Sequence, residues 1–179
     1  MAEPLSMAAY HAAVISSLKA LPWVEDADTY PETSTQLVTP AVYLSVDGWE
    51  PKSNTSGQPS VSLSVSLYIV VDRASATITK PDIYVRTAAA DLTQWVDGQQ
   101  FGLPHIDGGV FISAEPDAFD PQMDDYLVWR ISFEQGAAFG ADPFARGGVP
   151  VKGIWLGKAP EIGTGHIADY RKIYEAPDE

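Results

Sequence analysis

Residues 60–71 read S-V-S-L-S-V-S-L-Y-I-V-V. Val61, Leu63, Val65, Leu67, Ile69 and Val71 take every second position, and Ser62, Ser64, Ser66 and Tyr68 fall between them. Side chains along a strand point alternately to opposite faces, so this stretch is a long strand with one apolar face and one small, hydroxyl-rich face. The apolar face needs a cover. A solvent-facing strand ordinarily carries Lys, Glu, Thr or Arg, and the serine face is therefore expected to lie against other protein. Ser62, Ser64, Ser66 and Tyr68 become the first candidates for a subunit or partner interface.

The flanking sequence supplies strand partners. Residues 41–46 alternate Val42, Leu44 and Val46 with Ala41, Tyr43 and Ser45, which predicts a second strand. Residues 50–59, E-P-K-S-N-T-S-G-Q-P, are polar and rich in Gly, Pro and Ser, the composition of a mobile hairpin loop. The two strands are expected to form a long antiparallel hairpin. Trp49 at its flank, with Lys52 and Asn54 in the loop, are further interface candidates. Residues 22–40 form an acidic connector, with a short strand expected at 35–38.

Helices bracket the hairpin. From Pro4 to Ala20, Met7, Tyr10, Val14, Leu18 and Leu21 recur at three- and four-residue steps, one apolar stripe on a helix that ends at Leu21-Pro22. Lys80-Pro81-Asp82 opens a second helix, with the proline and a carboxylate in its first turn. Its expected buried stripe is Tyr84, Ala88, Leu92, Trp95 and Val96, and Asp97-Gly98 ends it. After a loop at 99–109, residues 110–115 and 126–135 read as two more strands. In the latter, Leu127, Trp129, Ile131 and Phe133 alternate with Tyr126, Val128, Arg130, Ser132 and Glu134. The fold class is α+β: a single mixed or antiparallel sheet of about four to five strands with two helices packed on one face.

Past Gly136 glycine and proline become frequent, yet large apolar residues persist. A disordered tail is poor in such residues. Residues 1–136 are read as the domain and 137–179 as an extended C-terminal arm, with a short helix near 166–174. Phe139, Phe144, Trp155, Tyr170 and Tyr174 are its interface candidates, because exposed aromatics concentrate where proteins meet. Trp95 and Trp129 lie on apolar stripes and are assigned to the core.

Composition narrows the chemistry. A chain of 179 residues with 45% apolar content fits one domain with an appendage. It contains no cysteine, so disulfides and thiol chemistry are excluded. No apolar run approaches the roughly 20 residues of a membrane span, and the N-terminus lacks a signal-peptide pattern. A protein made in the cytoplasm, with no membrane partner, is expected. The net charge of −13 gives no cationic cluster for gripping DNA phosphates. Self-repulsion that keeps the protein soluble is one reading of it, and a protein that lies near DNA without adhering to it is a narrower one.

Catalytic and metal signatures are missing. His11, His105 and His166 are widely separated. Asp117, Asp120, Asp124 and Asp125 lack the calcium-loop pattern. Gly163-Thr164-Gly165 does not open a Rossmann helix, Gly147-Gly148 lacks a P-loop lysine, and the strand serines are not on a nucleophile turn. No catalytic residue, cofactor or metal is expected.

The order of elements and the closing strand Tyr126-Leu127-Val128-Trp129-Arg130-Ile131-Ser132-Phe133-Glu134-Gln135 resemble the tail terminator, or tail-completion, proteins of tailed bacteriophages, the group that includes the minor tail protein U of lambda-like phages. The resemblance covers residues 1–136. It implies a small α/β structural protein of the virion, assembled in the host cytoplasm, that forms a homo-hexameric ring at the head-proximal end of the tail. Such a ring ends tube polymerisation and offers a head-to-tail joining face. The implied partners are further copies of itself, the tail tube protein, a neck or head-completion protein and, as a further partner, sheath protein. Double-stranded DNA would pass through the lumen without specific binding. No catalysis is implied. Neighbouring readings are a neck adaptor or another tail structural protein. A cytoplasmic small-ligand-binding or enzymatic α+β domain is the reading from another class; it requires a concave pocket with convergent polar groups.

Overall fold

The computed structural model of the chain describes residues 5–30, 37–53, 58–117, 125–140 and 151–175. The chain divides into two compact units, Met1–Phe144 and Ala145–Glu179.

The first unit is built on α1 (Met7–Lys19), β1 (Asp26–Thr29), β2 (Ala41–Pro51), β3 (Ser60–Asp72), α2 (Pro81–Val96), β4 (Val110–Asp117) and β5 (Tyr126–Ala138). The spatial order of the sheet is β1-β2-β3-β5-β4. β1 runs parallel to β2 and every other neighbouring pair is antiparallel, so the sheet is mixed and the fold is α+β. The serine-bearing strand β3 is central, paired along its length with β2 and β5.

The predicted apolar face of β3 is the floor of the core: Leu63, Val65, Leu67, Ile69 and Val71 are buried in one cluster with Tyr10, Val14 and Leu18 of α1. α1 starts one residue after Ser6, whose Oγ accepts from the Ala9 amide at 3.1 Å, satisfying one donor of the first turn. On α2 the buried residues are Val85, Ala88, Ala89, Leu92 and Val96, while Tyr84 and Trp95 are only partly buried at its margin. The stripe is thus turned from the predicted one. The adjacent small residues Ala88 and Ala89 let the backbone approach the sheet, and the two large rings flank the contact. Trp129, expected in the core, is likewise partly buried against it.

β1 lies in the acidic connector, upstream of the strand expected at 35–38. Residues 31–36 fall outside the described residues, and 37–38 carry no strand. In D-A-D-T only Ala27 is buried, and it joins the core, while Asp26 and Asp28 face away. Aspartate disfavours strands, and here pairing with β2 overrides that preference. The expected loop at 50–59 is shortened by β2, which continues to Pro51; residues 54–57, Asn54 among them, lie outside the described residues.

β5 runs past the expected boundary at Gly136. Ala137 is buried, and Phe139 bridges Leu5 and packs against the core. Residues 137–139 therefore belong to the first unit. The sheet's two edges are unlike its interior: β1 has only four residues, and β4 carries an irregularity between Phe111 and Ser113 and a proline at 116. Short length, bulges and proline all blunt a strand edge.

In the second unit, β6 (Gly153–Leu156) and β7 (Arg171–Glu175) form a two-stranded antiparallel ribbon. A 3₁₀ helix at Thr164–Asp169 precedes β7, where a helix near 166–174 was expected. It ends because Tyr170 is extended (φ −75°, ψ 132°), and its hydroxyl accepts from the Gly163 amide at 2.8 Å. None of residues 151–175 is buried.

Candidate subunit interface

Both helices pack on one face of the five-stranded sheet. Directly paired residues in an antiparallel ladder share a face, so the register lays out the opposite, open face in rows. Ser45, Ser66, Ser132 and Ser113 are successive cross-strand partners, a line of serines across β2, β3, β5 and β4. On one side of it lie Tyr43, Tyr68, Arg130 and Glu115, and beyond them Ala41, Val70, Val128 and Asp117. On the other side lie Gly48, Ser64, Glu134 and Val110, followed by Glu50, Ser62 and Gly136.

The serine line is low, with a taller row of Tyr43, Tyr68, Arg130 and Glu115 on one side and the small Gly48 and Ser64 beside it on the other. Ser66 is 1% exposed, its Oγ donating to Asp47 Oδ2 at 2.5 Å, and Ser45 Oγ donates to Asp47 Oδ1 at 2.7 Å. Asp47 sits at the irregularity between Val46 and Gly48, which aims its carboxylate at both serines. Ser66 is consequently part of the sheet's own hydrogen bonding, whereas Ser64 is exposed and Ser62 half-buried. The tyrosine row closes one end. Tyr30 packs on Tyr68 with ring centroids 4.4 Å apart, and the Tyr126 hydroxyl accepts from the Leu37 amide at 3.1 Å. Tyr30, Leu37, Tyr68 and Tyr126 pack over Ala41, Tyr43, Val70 and Val128, a small second core.

Charge on this face is lopsided. Asp26, Asp28, Asp47, Glu50, Glu115, Asp117 and Glu134 stand on or beside its rows, against Arg130, and the Lys52–Asp107 ion pair lies over Gly136 at one end. Arg130 is tied to Glu115 by an ion pair, which with the neighbouring Tyr68 hydroxyl holds its guanidinium above the ordinary value. Burial, then the negative charge of Asp26, pushes the Tyr43 hydroxyl up to about 12. Burial and the charge of Asp47 also raise Tyr68, against the opposing pull of Arg130.

Of the remaining candidates on the first unit, Lys52 meets this face at the Gly136 row and Trp49 does not. Trp49 pairs with Leu63, so it belongs to the helix side, where it is 55% exposed beside Phe139, ring centroids 6.4 Å apart. Lys52 Nζ binds Asp107 Oδ2 at 2.6 Å over Gly136, where a Cβ would stand 2.1 Å from that oxygen. With His105, Ser53 and Ser60 this pair lines an open cleft of about 310 Å³. Trp155, Tyr170 and Tyr174 are on the ribbon unit, and Asn54 and Phe144 lie outside the described residues.

Two features escaped the sequence reading. One is the continuous serine line, since Ser45, Ser113 and Ser132 drew no attention singly. The other is Gln135, 1% exposed on the helix side. Its Oε1 accepts from Tyr10 Oη at 2.7 Å, and its Nε2 donates to the carbonyls of Gln99 at 2.7 Å and Asp107 at 2.8 Å. Period-two counting from Leu127 places residue 135 on the buried face, which was the available signal.

Histidine chemistry is local. His11 Nδ1 donates to the Met7 carbonyl at 2.7 Å, and His166 meets Asp169 at 3.1 Å. Among the described residues no group of His, Asp and Glu is arranged to hold a metal ion, and no helix is long and apolar enough to cross a membrane. No protein-family model matches the chain, and no curated protein matches it.

Proposed function

We propose that this chain is a non-catalytic structural subunit that assembles with copies of itself into a ring, most economically the ring that caps the head-proximal end of a bacteriophage tail tube. The observation that carries the reading is the open sheet face. Helices cover one side of the sheet, and on the other side the stretch from the serine line to Ser64 and Ser62 is low and open, bounded at one end by the tyrosine row, a shape that accepts a packed partner. The order helix, hairpin, helix, paired strands is also the order that the resemblance to tail terminators implies. The acidic surface fits a channel that conveys duplex DNA without adhesion, since like charges repel and no phosphate-gripping cluster is present.

Negative-stain microscopy of the purified protein, alone and with tail-tube protein, tests this. Rings, and tubes ended by rings, are the expected images. A strict monomer at high concentration that leaves tube growth unaltered refutes the reading. Labelling in particles separates the tail end from a neck or baseplate position. Ser64→Arg is expected to leave the unfolding midpoint unchanged and to reduce ring formation; unaltered ring yield would remove the serine face from the interface.

A second reading rests on the cleft lined by Lys52, Asp107 and His105, whose polar groups converge as in a small-ligand site. A thermal shift with small anionic metabolites that is abolished by Lys52→Ala would favour it.

A further inference from the structure

The ribbon of the second unit is apolar on both sides. Ile154 pairs with Tyr174 and Leu156 with Arg171, which sets these four on one face, and Trp155 with Lys172 on the other. On the Trp155 side, Trp155, Ile167 and Tyr170 with Gly163 and Thr164 line an open depression of about 510 Å³. Lys172 Nζ stands 5.1 Å from the Trp155 ring centroid. Ile154, Trp155, Leu156, Ile167 and Tyr174 are between 46% and 70% exposed.

A two-stranded ribbon with no core is marginal in water, and a patch of this kind marks an interaction surface. Ile154, Trp155, Leu156, Ile167 and Tyr174 all remain at least 46% exposed, so both apolar faces are available for a cover from another molecule. Charge indicates which. Acidic and basic residues are equal in number in 145–179, so the entire net charge of −13 resides on residues 1–144. Two such bodies repel each other, whereas the ribbon, with Arg171 beside its apolar row, approaches an acidic surface favourably. The open sheet face stays acidic once the Arg130–Glu115 pair is set aside, with Asp117 and Glu134 along its rows, and the small Gly48, Ser64 and Ser62 beside Glu134 leave room for Ile154 and Leu156 to seat.

We infer that the face of the ribbon bearing Ile154, Leu156, Arg171 and Tyr174 packs across the open sheet face of a second copy of this chain. Ribbon and sheet then meet as two stacked sheets, and the contact is heterologous: the donor and acceptor surfaces differ, so successive copies link in one sense, the kind of contact that ring assembly requires. This rests on the assembly reading above and names its contact.

Sedimentation equilibrium of the full chain between about 1 and 200 μM at low salt reads the contact, a span that covers weak to tight association. The wild type is expected to self-associate. Ile154→Ser with Leu156→Ser should weaken association roughly 100-fold, since two apolar anchors are lost. Arg171→Glu should weaken it about tenfold, and adding Glu134→Arg to that variant should recover most of the loss, as a restored charge pair does. The single-charge variants guard against collapse of the ribbon in the serine variant. A wild type that stays monomeric throughout, serine variants that associate unchanged, or a charge reversal without recovery each overturns the inference. So does a monomer whose ribbon instead binds phosphatidylcholine–phosphatidylserine vesicles. A chain that self-associates in this way yet caps no tail tube refutes the tail-end reading and leaves the contact standing.

Discussion

Gln135→Leu isolates the one buried polar side chain that joins α1, β5 and the loop at 97–109. In the wild type its amide makes three hydrogen bonds, to the Tyr10 hydroxyl and to the carbonyls of Gln99 and Asp107. Leucine fits the volume and leaves those three groups behind. The Gln99 carbonyl keeps its bond from the Gly109 amide at 2.9 Å, so the cost falls on Tyr10 and Asp107. A buried polar group left without a partner costs about 1–3 kcal/mol, which puts the substitution near 3 kcal/mol. For a unit of this size that lowers Tm by roughly 6–12 °C. Tyr10→Phe removes one bond and strands only Oε1, so about 1–2 kcal/mol is expected. The double variant should lose less than the sum, because the two side chains share one bond. Urea unfolding followed by far-UV circular dichroism measures all three, with an unchanged m-value as the control. A loss below about 1 kcal/mol for Gln135→Leu, or strict additivity in the double variant, would show that the amide does not organise this end of the core.

Gly109→Ala places a Cβ 2.6 Å from the Val96 carbonyl oxygen, a backbone atom at the end of α2 that cannot step aside; a loss of about 2 kcal/mol or more in the same assay is expected, and a neutral result would count against the tight turn there. Truncation after residue 144 should leave the first unit's unfolding midpoint near wild type. Truncation after 136 should lower it markedly, because Ala137 and the Leu5–Phe139 bridge go with it; equal midpoints would separate 137–139 from the core. Tyr10, Tyr43, Tyr68 and Tyr84 are all held above the ordinary 10.0 by burial first. Raised values in the folded state mean that their contribution is constant below pH 10 or so. It declines as the unfolded chain ionises first, and it is lost as the folded groups titrate, near 12 for Tyr43. Urea midpoints should therefore be flat at neutral and mildly alkaline pH and fall above about pH 10; a midpoint that holds to pH 12 would contradict the burial of these rings.

The fold was legible where periodicity was strong. The alternation in 60–71 survives as β3, and Tyr10, Val14 and Leu18 form the buried stripe of α1 as their spacing predicts. β1 was not legible, since two aspartates and a threonine around one alanine have no strand signature until β2 is beside them. The ribbon was misread for a related reason: residues 166–174 carry helical spacing, but Tyr170 turns extended and the chain pairs with β6. For the interface, single-strand reading found Ser62, Ser64 and Ser66 but could not align them with Ser45, Ser113 and Ser132. Cross-strand register depends on two irregularities, at Val46/Gly48 and Phe111/Ser113, and a shift of one residue at either would send those serines to the core. The same dependence buried Ser66 while leaving Ser64 open.

The blunted edges of the sheet bear on how far an assembly of this chain can grow. Adding strands at an edge has no natural end point, since each newcomer exposes a fresh edge identical to the last. β1 is too short, and β4 too irregular, to template such growth. Contacts made by faces carry a fixed rotation from one copy to the next, and where that rotation closes on itself the count is finite. In a closed ring the number of subunits is a property of geometry rather than of supply, so overexpression of a ring-forming chain should yield more particles of one size and not longer ones.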